Sequence, residues 1–392
     1  MRDKAVDEAA ATHLKFVRMH QTIFRLVYLF LIPFLISCSA PGLIDKNATA
    51  ETKALYSNLH KLAESHILFG HQHATEYGHG WRGDEDRSDV KSVTGSHPVV
   101  IGIDFLGISG IGFSEERIER EEKLLKKTIE DTYNRGGVIT ASWHFNNPVS
   151  NTAFYWNDTA VAAVARIIPG GSHHEEYKLI LQRIANLVKS CRGKDGRLVP
   201  IIFRPYHEFD GWWFWWGADY SAVDDFKTLW RFTVSYLRDT LNVNQFIYGW
   251  SPDNKFTNLE DYTERYPGNE WVDLVGMDNY NDMGRYGIYK LDSAYYKLKI
   301  VSDFAQKNKK LAALTETGLE SIPNVTWWTE TLLKTIRRSN LQLSYVLVWR
   351  NDPHSPTHYY APFPGHISVP DFLKFYNDPY TLFENDLKDI YK

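Results

Sequence analysis

Eight short, β-rich apolar runs recur along the chain, with amphipathic stretches between them. They lie at residues 66–72, 98–104, 137–145, 199–208, 245–252, 273–280, 311–318 and 343–351. Strands that alternate with helices in this way pair in parallel, through right-handed crossover connections. Eight such units in about 340 residues predict a single (β/α)₈ barrel, with long loops at the C-terminal ends of its strands.

A doubly wound sheet has the same alternation, but two features favour the barrel. No glycine-rich phosphate loop follows the first run. In addition, every run ends in polar or aromatic residues, namely His71, Asp104, His144, Glu208, Trp250, Asn279, Glu316 and Trp349. Barrel enzymes build their active sites from the C-terminal ends of the strands, so this pattern is typical of an enzyme. The loops at 76–88, 151–171 and 354–370 are long enough to enclose part of such a site.

The first 38 residues have the features of an export signal. Residues 26–36 form an apolar run without charges, which follows Arg25 and is too short to span a bilayer. The sequence Leu35-Ile36-Ser37-Cys38 resembles the lipoprotein box of bacteria, in which the cysteine is lipidated and becomes the new N-terminus. Acidic residues before Met19 do not fit a signal peptide, which indicates that translation starts at Met19.

We therefore predict a signal peptide at 1–38, a short tether at 39–53 and one catalytic domain at 54–392. A lipid on Cys38 is the only membrane attachment that we expect. Ser39 resembles an outer-membrane sorting residue, which favours the periplasmic face of the outer membrane of a Gram-negative bacterium, with the cell surface as the alternative. The net charge of −4 argues against nucleic-acid binding, and we expect a monomer.

Two glutamates, Glu208 and Glu316, end the fourth and seventh runs. For either one alone, a salt bridge on the barrel rim is an equally good interpretation. Strands 4 and 7 of an eightfold barrel lie across its mouth, however, so the two carboxyls can flank one bond. Glycoside cleavage needs that layout, with one acid to protonate the leaving oxygen and one carboxylate to attack the carbon.

The segment after Glu208 is rich in aromatic residues, which make up six of the eight positions 209–216. Such a cluster would favour aggregation if it were merely exposed. In a cleft, the flat indole faces can stack on the C–H faces of sugar rings. A non-catalytic glycan-binding protein would also use such a surface, but it has no need for two carboxyls across the cleft.

Three segments of the sequence resemble those of a known protein family. Residues 204–208 (RPYHE) and 211–217 (GWWFWWG) resemble the signature of glycoside hydrolase family 26, whose members are mainly β-mannanases, and residues 315–318 (TETG) resemble its nucleophile strand. The resemblance extends from about residue 54 to the C-terminus. It implies a (β/α)₈ fold and a retaining mechanism, with Glu208 as the acid/base and Glu316 as the nucleophile.

The resemblance also implies the substrate, β-1,4-mannan, with β-1,3-xylan or mixed-linkage β-glucan as the alternative within the family. Whether cleavage is endo or exo stays open. Five further residues match positions that bind the sugar: His144, His207, Trp213, Tyr280 and Trp349. Of these, His207 is expected to contact the 2-hydroxyl and Tyr280 to hydrogen-bond the nucleophile, whereas core packing is the alternative role for the two tryptophans. We expect Arg204 to orient the carboxylates rather than to touch the sugar.

Three histidines near the first run, His71, His73 and His79, offer an alternative interpretation as metal ligands. Hydrolysis by two carboxyls needs no metal, so we predict neither a metal nor a cofactor. We expect Asp104 and Asp278 to lie in the cleft, with roles that the sequence leaves open.

Overall fold

A computed structural model of the chain describes residues 42–392. Its eight barrel strands, β1 to β8, are Ile67–Gln72, Val100–Asp104, Val138–Trp143, Ile201–Pro205, Phe246–Trp250, Leu274–Asp278, Leu311–Thr317 and Tyr345–Val348. Each strand pairs in parallel with the next, and β1 also pairs with β8, which closes the barrel. The predicted (β/α)₈ fold is confirmed.

Helices fill the connections between the strands. The longer α-helices are Ala50–Leu62, Asp89–Thr94, Glu115–Arg135, His174–Ser190, Val223–Ser235, Leu291–Asn308 and Val369–Tyr376. Shorter α-helical turns are Trp156–Thr159, Val164–Ile167, Leu259–Thr263 and Lys334–Ile336. The described residues also contain two π-helical segments, Tyr236–Thr240 and Trp327–Leu333. The 3₁₀ turns in residues 42–392 are Leu106–Ile108, Ala218–Tyr220, Asn269–Trp271, Arg285–Gly287 and Glu384–Asp386.

In the part of the chain that the structure describes, three very short strands lie outside the barrel. Tyr77–Gly78 and Trp81–Arg82 form an antiparallel pair in the loop after β1. Thr381–Leu382, near the C-terminus, pairs in parallel with the first residues of β1.

The helix Glu115–Arg135 shows how local sequence sets an element's limits. The Ser114 hydroxyl accepts a hydrogen bond from the Arg117 N–H and caps the helix, and Gly136 ends it in a left-handed conformation with φ of 88°. The buried residues Ile118, Leu125 and Ile129 repeat at helical spacing and face the barrel. The helix is therefore fixed by its ends and by one apolar stripe.

The folded domain begins earlier than the predicted residue 54. Leu43 and Ala48 are buried, the Ile44 N–H donates to Asp273 Oδ1 at 2.7 Å, and a helix already starts at Ala50. Residues 42–53 therefore pack on the barrel rather than forming a tether. The remaining part of the predicted tether, the predicted signal peptide and Cys38 lie outside the described residues. Within residues 42–392, every helix is too short or too polar to cross a bilayer.

Side chains alternate between the two faces of the barrel strands. Those that point inward pack with the N-terminal helix, which closes the N-terminal end of the barrel, and those that point outward pack under the other helices. The inner group includes Leu55, Leu59, Leu68, Val100, Val138, Ile202, Ile247, Leu274, Leu311 and Tyr345. The opposite, C-terminal end of the barrel is thereby left for polar side chains.

Candidate active site

A cavity of about 480 Å³ opens at the C-terminal end of the barrel. This volume is in the range of pockets that hold small ligands. All seven side chains predicted to cleave or bind the substrate line the cavity, namely His144, His207, Glu208, Trp213, Tyr280, Glu316 and Trp349. The fold thus gathers residues that follow or end five different strands.

Glu208 lies in a turn after β4 and not in the strand itself. The strand ends at Pro205, and the next residue, Tyr206, has a left-handed backbone with φ of 52°. Glu208 is left-handed as well, with φ of 53°. This conformation costs a residue with a Cβ roughly 1–2 kcal/mol, so the surrounding structure must hold the turn in place.

Contacts from several directions hold this turn. The Tyr206 hydroxyl points outward from the barrel and hydrogen-bonds with the hydroxyls of Tyr177 and Thr233, which belong to two surrounding helices. The Glu208 N–H donates to the carbonyl of Ser251 at 2.9 Å. The Glu208 side chain is thereby directed into the cavity from a fixed position.

The surroundings of Glu208 favour its protonated form. Burial raises the pKa of Glu208 well above its usual range, and the nearby negative charges of Asp253, Asp278 and Glu316 raise it further. The indole Nε1–H of Trp213 donates to Glu208 Oε2 at 2.6 Å and acts in the opposite direction, because it stabilises the charged carboxylate. A carboxyl with a raised pKa is suited to donate a proton at neutral pH.

A β-bulge in β7 directs Glu316 into the cavity. Met277 of β6 pairs with Leu314, but the next residue, Asp278, pairs with Glu316, so Thr315 is the extra residue. Leu314 points outward into the helical layer, and regular alternation would place Glu316 on that same face. The bulge reverses this direction, which is a common function of bulges beside active sites.

Arg204 and Tyr280 hold the two oxygens of Glu316. Arg204 Nη2 donates to Oε1 at 2.5 Å, and the Tyr280 hydroxyl donates to Oε2 at 3.1 Å. Arg204 Nη1 also donates to Asp278 Oδ1 at 3.1 Å. Burial lowers the pKa of the Arg204 guanidinium, but the charges of Asp278 and Glu316 have the larger combined effect and raise it. Both expected contacts with Glu316 are therefore present, and Asp278 completes the group.

The two glutamates are close together. One carboxylate oxygen from each of Glu208, Asp278 and Glu316 lies within 4.8 Å of the others. Retaining glycosidases place their carboxyls about 5–5.5 Å apart, whereas inverting enzymes need about 6.5–9.5 Å to admit a water molecule. The separation of Glu208 and Glu316 is closer to the shorter of these two spacings, which suits direct attack on carbon.

Two histidines form the wall beside the carboxylates. His144 Nδ1 hydrogen-bonds Asp104 Oδ2 at 2.5 Å, which leaves Nε2 for a ligand. Burial raises the pKa of the Asp104 carboxyl, but the charge and hydrogen bond of His144 have the larger effect and lower it. The ring of His207 lies 4.6 Å from that of His144, centroid to centroid, and burial lowers the pKa of His207 well below its usual range. His207 is therefore neutral and can accept or donate a hydrogen bond.

The sequence profile described as glycosyl hydrolase family 26 matches residues 44–382, most of the chain. The chain belongs to glycosyl hydrolase family 26.

Relatives of this family 26 chain include proteins with solved structures. A β-mannanase of family 26 from Bacteroides ovatus is 41% identical, with a TM-score of 0.81 over 88% of this chain and 98% of that one. GH26C from Muricauda sp. MAR_2010_75 is 36% identical, with a TM-score of 0.84 over 89% of this chain and 96% of that one.

A curated relative is much longer. The mannan endo-1,4-β-mannosidase of Bifidobacterium adolescentis is 36% identical over 281 residues, which cover 70% of this chain and 27% of that protein. This chain therefore spans about a quarter of that relative's length.

Several side chains in the cavity of this family 26 domain were not predicted individually from the sequence, although Trp212 and Phe214 belong to the aromatic segment 209–216. These side chains are Tyr155, Trp212, Phe214, Asp253, Asn281, Arg285, Tyr286, His358 and Tyr360. Most lie in loops, where strand patterns give no guidance. Asp253 carried a usable signal, because it is an acidic residue just after β5. The loops at 151–171 and 354–370 contribute to the lining, but the loop at 76–88 does not.

The histidines considered as metal ligands have separate surroundings. His71 is buried in β1, His73 pairs with Glu76 at 2.6 Å, and His79 stacks on Phe363 with ring centroids 3.8 Å apart. Within residues 42–392 they form no common ligand set. The carboxylate cluster of Glu208, Asp278 and Glu316 receives positive charge from Arg204, which hydrogen-bonds two of its members.

A second cavity, of about 680 Å³, lies beside the active site. Its lining includes Asp210 and Lys255, whereas neither Glu208 nor Glu316 contributes to it. Asp210 accepts the N–H groups of Asp253 and Lys255, at 2.6 and 3.3 Å, and so fixes the loop after β5. This loop separates the two cavities.

Proposed function

We propose that this chain is a retaining glycoside hydrolase that cleaves internal β-1,4-mannosidic bonds of mannan, galactomannan or glucomannan. The single observation that carries the proposal is the pair of Glu208 and Glu316, with oxygens within 4.8 Å and with different partners. The Bacteroides ovatus and Bifidobacterium adolescentis relatives, which are named as mannanases, support the choice of substrate.

In the first step, the Glu316 carboxylate attacks the anomeric carbon. Glu208 gives its proton to the glycosidic oxygen as the bond between carbon and that oxygen breaks. The leaving chain departs as an alcohol, and an ester joins the sugar to Glu316. Arg204 and Tyr280 hold the attacking carboxylate in position through their hydrogen bonds.

In the second step, Glu208 is ionised and acts as a base. It takes a proton from a water molecule, whose oxygen attacks the anomeric carbon and breaks the ester to Glu316. Two inversions restore the β-configuration. Both carboxyls return to their starting protonation states.

The residues around the carboxylates suit a mannose ring. His144, His207, Tyr280 and Trp349 surround the position next to Glu316, and the rings of His144 and Trp349 lie 5.7 Å apart, centroid to centroid. Mannose has an axial 2-hydroxyl, which the neutral imidazole of His207 can bind. Trp349 offers a flat surface to the C–H face of the sugar.

Rates on defined polysaccharides test this function. Purified protein should release reducing sugar from β-1,4-mannan faster than from cellulose or xylan by orders of magnitude, and mannohexaose should yield manno-oligosaccharides, mannobiose among them. Equal or greater rates on β-1,3-xylan or β-glucan would contradict the choice of substrate. Retention on a mannan gel without release of reducing sugar would instead indicate a binding protein.

We also infer a cellular location, which rests on the N-terminal sequence. The apolar run at 26–36 and the following Cys38 support lipidation of that cysteine. About two or three acyl chains would hold the protein stably at a membrane. The protein then acts as a monomer at the periplasmic face of the outer membrane.

A further inference from the structure

Trp212 differs from the other tryptophans of the segment 212–216. Trp215 and Trp216 are completely buried, and Trp213 is partly buried, but Trp212 is 50% exposed. It also lines the active-site cavity. A large aromatic ring that stays half exposed while it lines a cavity is available to a ligand bound there.

The contacts of Trp212 leave its faces open. Within residues 42–392, its only ring contact is with Trp213, edge to face, with centroids 6.1 Å apart and planes at 77°. Trp213 itself is engaged on two sides, because its Nε1–H donates to Glu208 and the ammonium of Lys255 lies 5.2 Å from its ring centre. The open aromatic face at this edge therefore belongs to Trp212.

The position of Trp212 relative to Glu208 indicates which part of the substrate Trp212 meets. An acid that protonates the glycosidic oxygen must face the sugar that leaves, so the leaving chain lies on the Glu208 side of the broken bond. Trp213 contacts Glu208 directly and therefore lies at the first leaving sugar. Trp212 is the next ring outward. It is placed to meet the second leaving sugar.

We propose that Trp212 is the stacking surface of a subsite for the second β-1,4-linked hexose on the leaving-group side of the broken bond. This inference rests on the proposed hydrolase function and adds one sugar-binding position to it. The apolar C–H face of a mannose unit would lie on the indole. Sugars on the Glu316 side would not touch it.

Two substrates of different length test the role of Trp212. On mannohexaose, Trp212→Ala should lower kcat/KM about tenfold, as expected for loss of one aromatic contact. On an aryl β-mannobioside, whose leaving group ends at the first position, the change should stay below about twofold. Trp212→Phe should keep most of the activity on mannohexaose.

The pattern of products gives a second readout. With mannohexaose labelled at its reducing end, Trp212→Ala should release more labelled mannose and less labelled mannobiose, because binding modes that need the second leaving position are weakened. Tyr296→Ala is the matched control, since Tyr296 is 57% exposed on a helix and does not line the cavity. This variant should match the wild type on both substrates.

The outcomes separate the two proposals. Equal losses on both substrates, or no loss on mannohexaose, would overturn the subsite while leaving the hydrolase function intact. A wild-type protein without activity on either substrate would overturn the hydrolase function. In that case, calorimetry with mannohexaose decides the role of Trp212, because weaker binding by Trp212→Ala supports the stacking surface and unchanged binding overturns it.

Discussion

Arg204 donates a hydrogen bond of 2.5 Å to Glu316, and both side chains are almost completely buried. The same guanidinium reaches Asp278 at 3.1 Å, so one cation faces two carboxylates inside the barrel. Among residues 42–392, Glu208 has no such cationic partner, and its side-chain hydrogen bond comes from the neutral indole of Trp213. This difference supports the proposed roles of Glu316 as the nucleophile and Glu208 as the proton donor.

Replacing Arg204 should destabilise the fold as well as stop the reaction. Arg204→Met leaves Asp278 and Glu316 buried without a cation, and breaking a buried ion pair in this way costs about 3–5 kcal/mol. Urea unfolding at neutral pH should show a loss of this size. The loss should grow as the pH rises, because removing Arg204 raises the pKa of Asp278 further and the folded state then holds its proton more tightly than the unfolded state.

An exposed arginine provides the control for this variant. Arg183 pairs with Glu115 at 3.1 Å, with 38% and 74% of their side chains exposed. Exposed pairs contribute at most about 1 kcal/mol. If Arg183→Met lowered the unfolding free energy as much as Arg204→Met does, burial of the pair would not be the cause.

Substitutions of the two glutamates should have different effects on activity. Glu316→Ala should abolish turnover of every substrate, because no sugar ester can form. Glu208→Ala should lose activity on mannan, whose leaving hydroxyl needs a proton, but should still attack an activated aryl mannobioside. That variant should then stall as the covalent intermediate, and azide should release it as a β-mannosyl azide, which NMR can identify.

Two results would contradict these roles. Azide rescue with retention in Glu316→Ala would mean that the roles are exchanged. If NMR showed that the wild type releases the α-anomer first, a retaining mechanism would be ruled out.

Asp253 should set part of the pH dependence. It lines the cavity, and its Oδ2 has no hydrogen-bond partner within the described part of the chain, residues 42–392. Burial together with the charge of Asp210 raises the pKa of Asp253 to about 7. Its negative charge raises the pKa of Glu208. Asp253→Asn removes that charge, so the pKa of Glu208 should fall and the alkaline limb of the kcat/KM profile should move to lower pH.

A substitution that should shift the pH profile in the opposite direction tests the same reasoning. Trp213→Phe removes the hydrogen bond that favours ionised Glu208, so the alkaline limb should move to higher pH. Asp303→Asn, on the outer surface of a helix, should leave the profile unchanged. Shifts of Asp253→Asn and Trp213→Phe in the same direction would show that the limb does not report Glu208.

Cys38 should determine where the protein is found. Cys38→Ala should release it as soluble protein, which fractionation of cells into membrane and soluble parts will detect. Protease treatment of intact cells should leave the wild-type protein intact if it lies on the periplasmic face. Its removal by the protease would indicate the cell surface instead.

The sequence predicted the strands better than the local backbone geometry that directs side chains into the cavity. All eight runs contain a barrel strand, because apolar residues alternate between two buried layers. Glu316, however, faces the cavity only because Thr315 is an extra residue in a bulge. A bulge has no sequence pattern of its own, since it depends on the neighbouring strands.

The turn after β4 was also beyond sequence reasoning. The run at 199–208 suggests one continuous strand, but β4 ends at Pro205 and Glu208 lies in the turn beyond. No glycine marks the left-handed positions at Tyr206 and Glu208, so composition gives no warning of them. Distant contacts, such as those of Tyr206 with Tyr177 and Thr233, decide the conformation.

Because of these contacts, we expect the activity to be lost at a lower temperature than the one at which the barrel unfolds. The turn that carries Glu208 is anchored in the outer helices through Tyr177 and Thr233. Parts of a protein can open locally at a lower free energy than complete unfolding requires. A small loosening of these helices on warming would let the strained turn relax while the barrel stays closed. Catalysis would then fade, reversibly, at temperatures where the barrel is still intact.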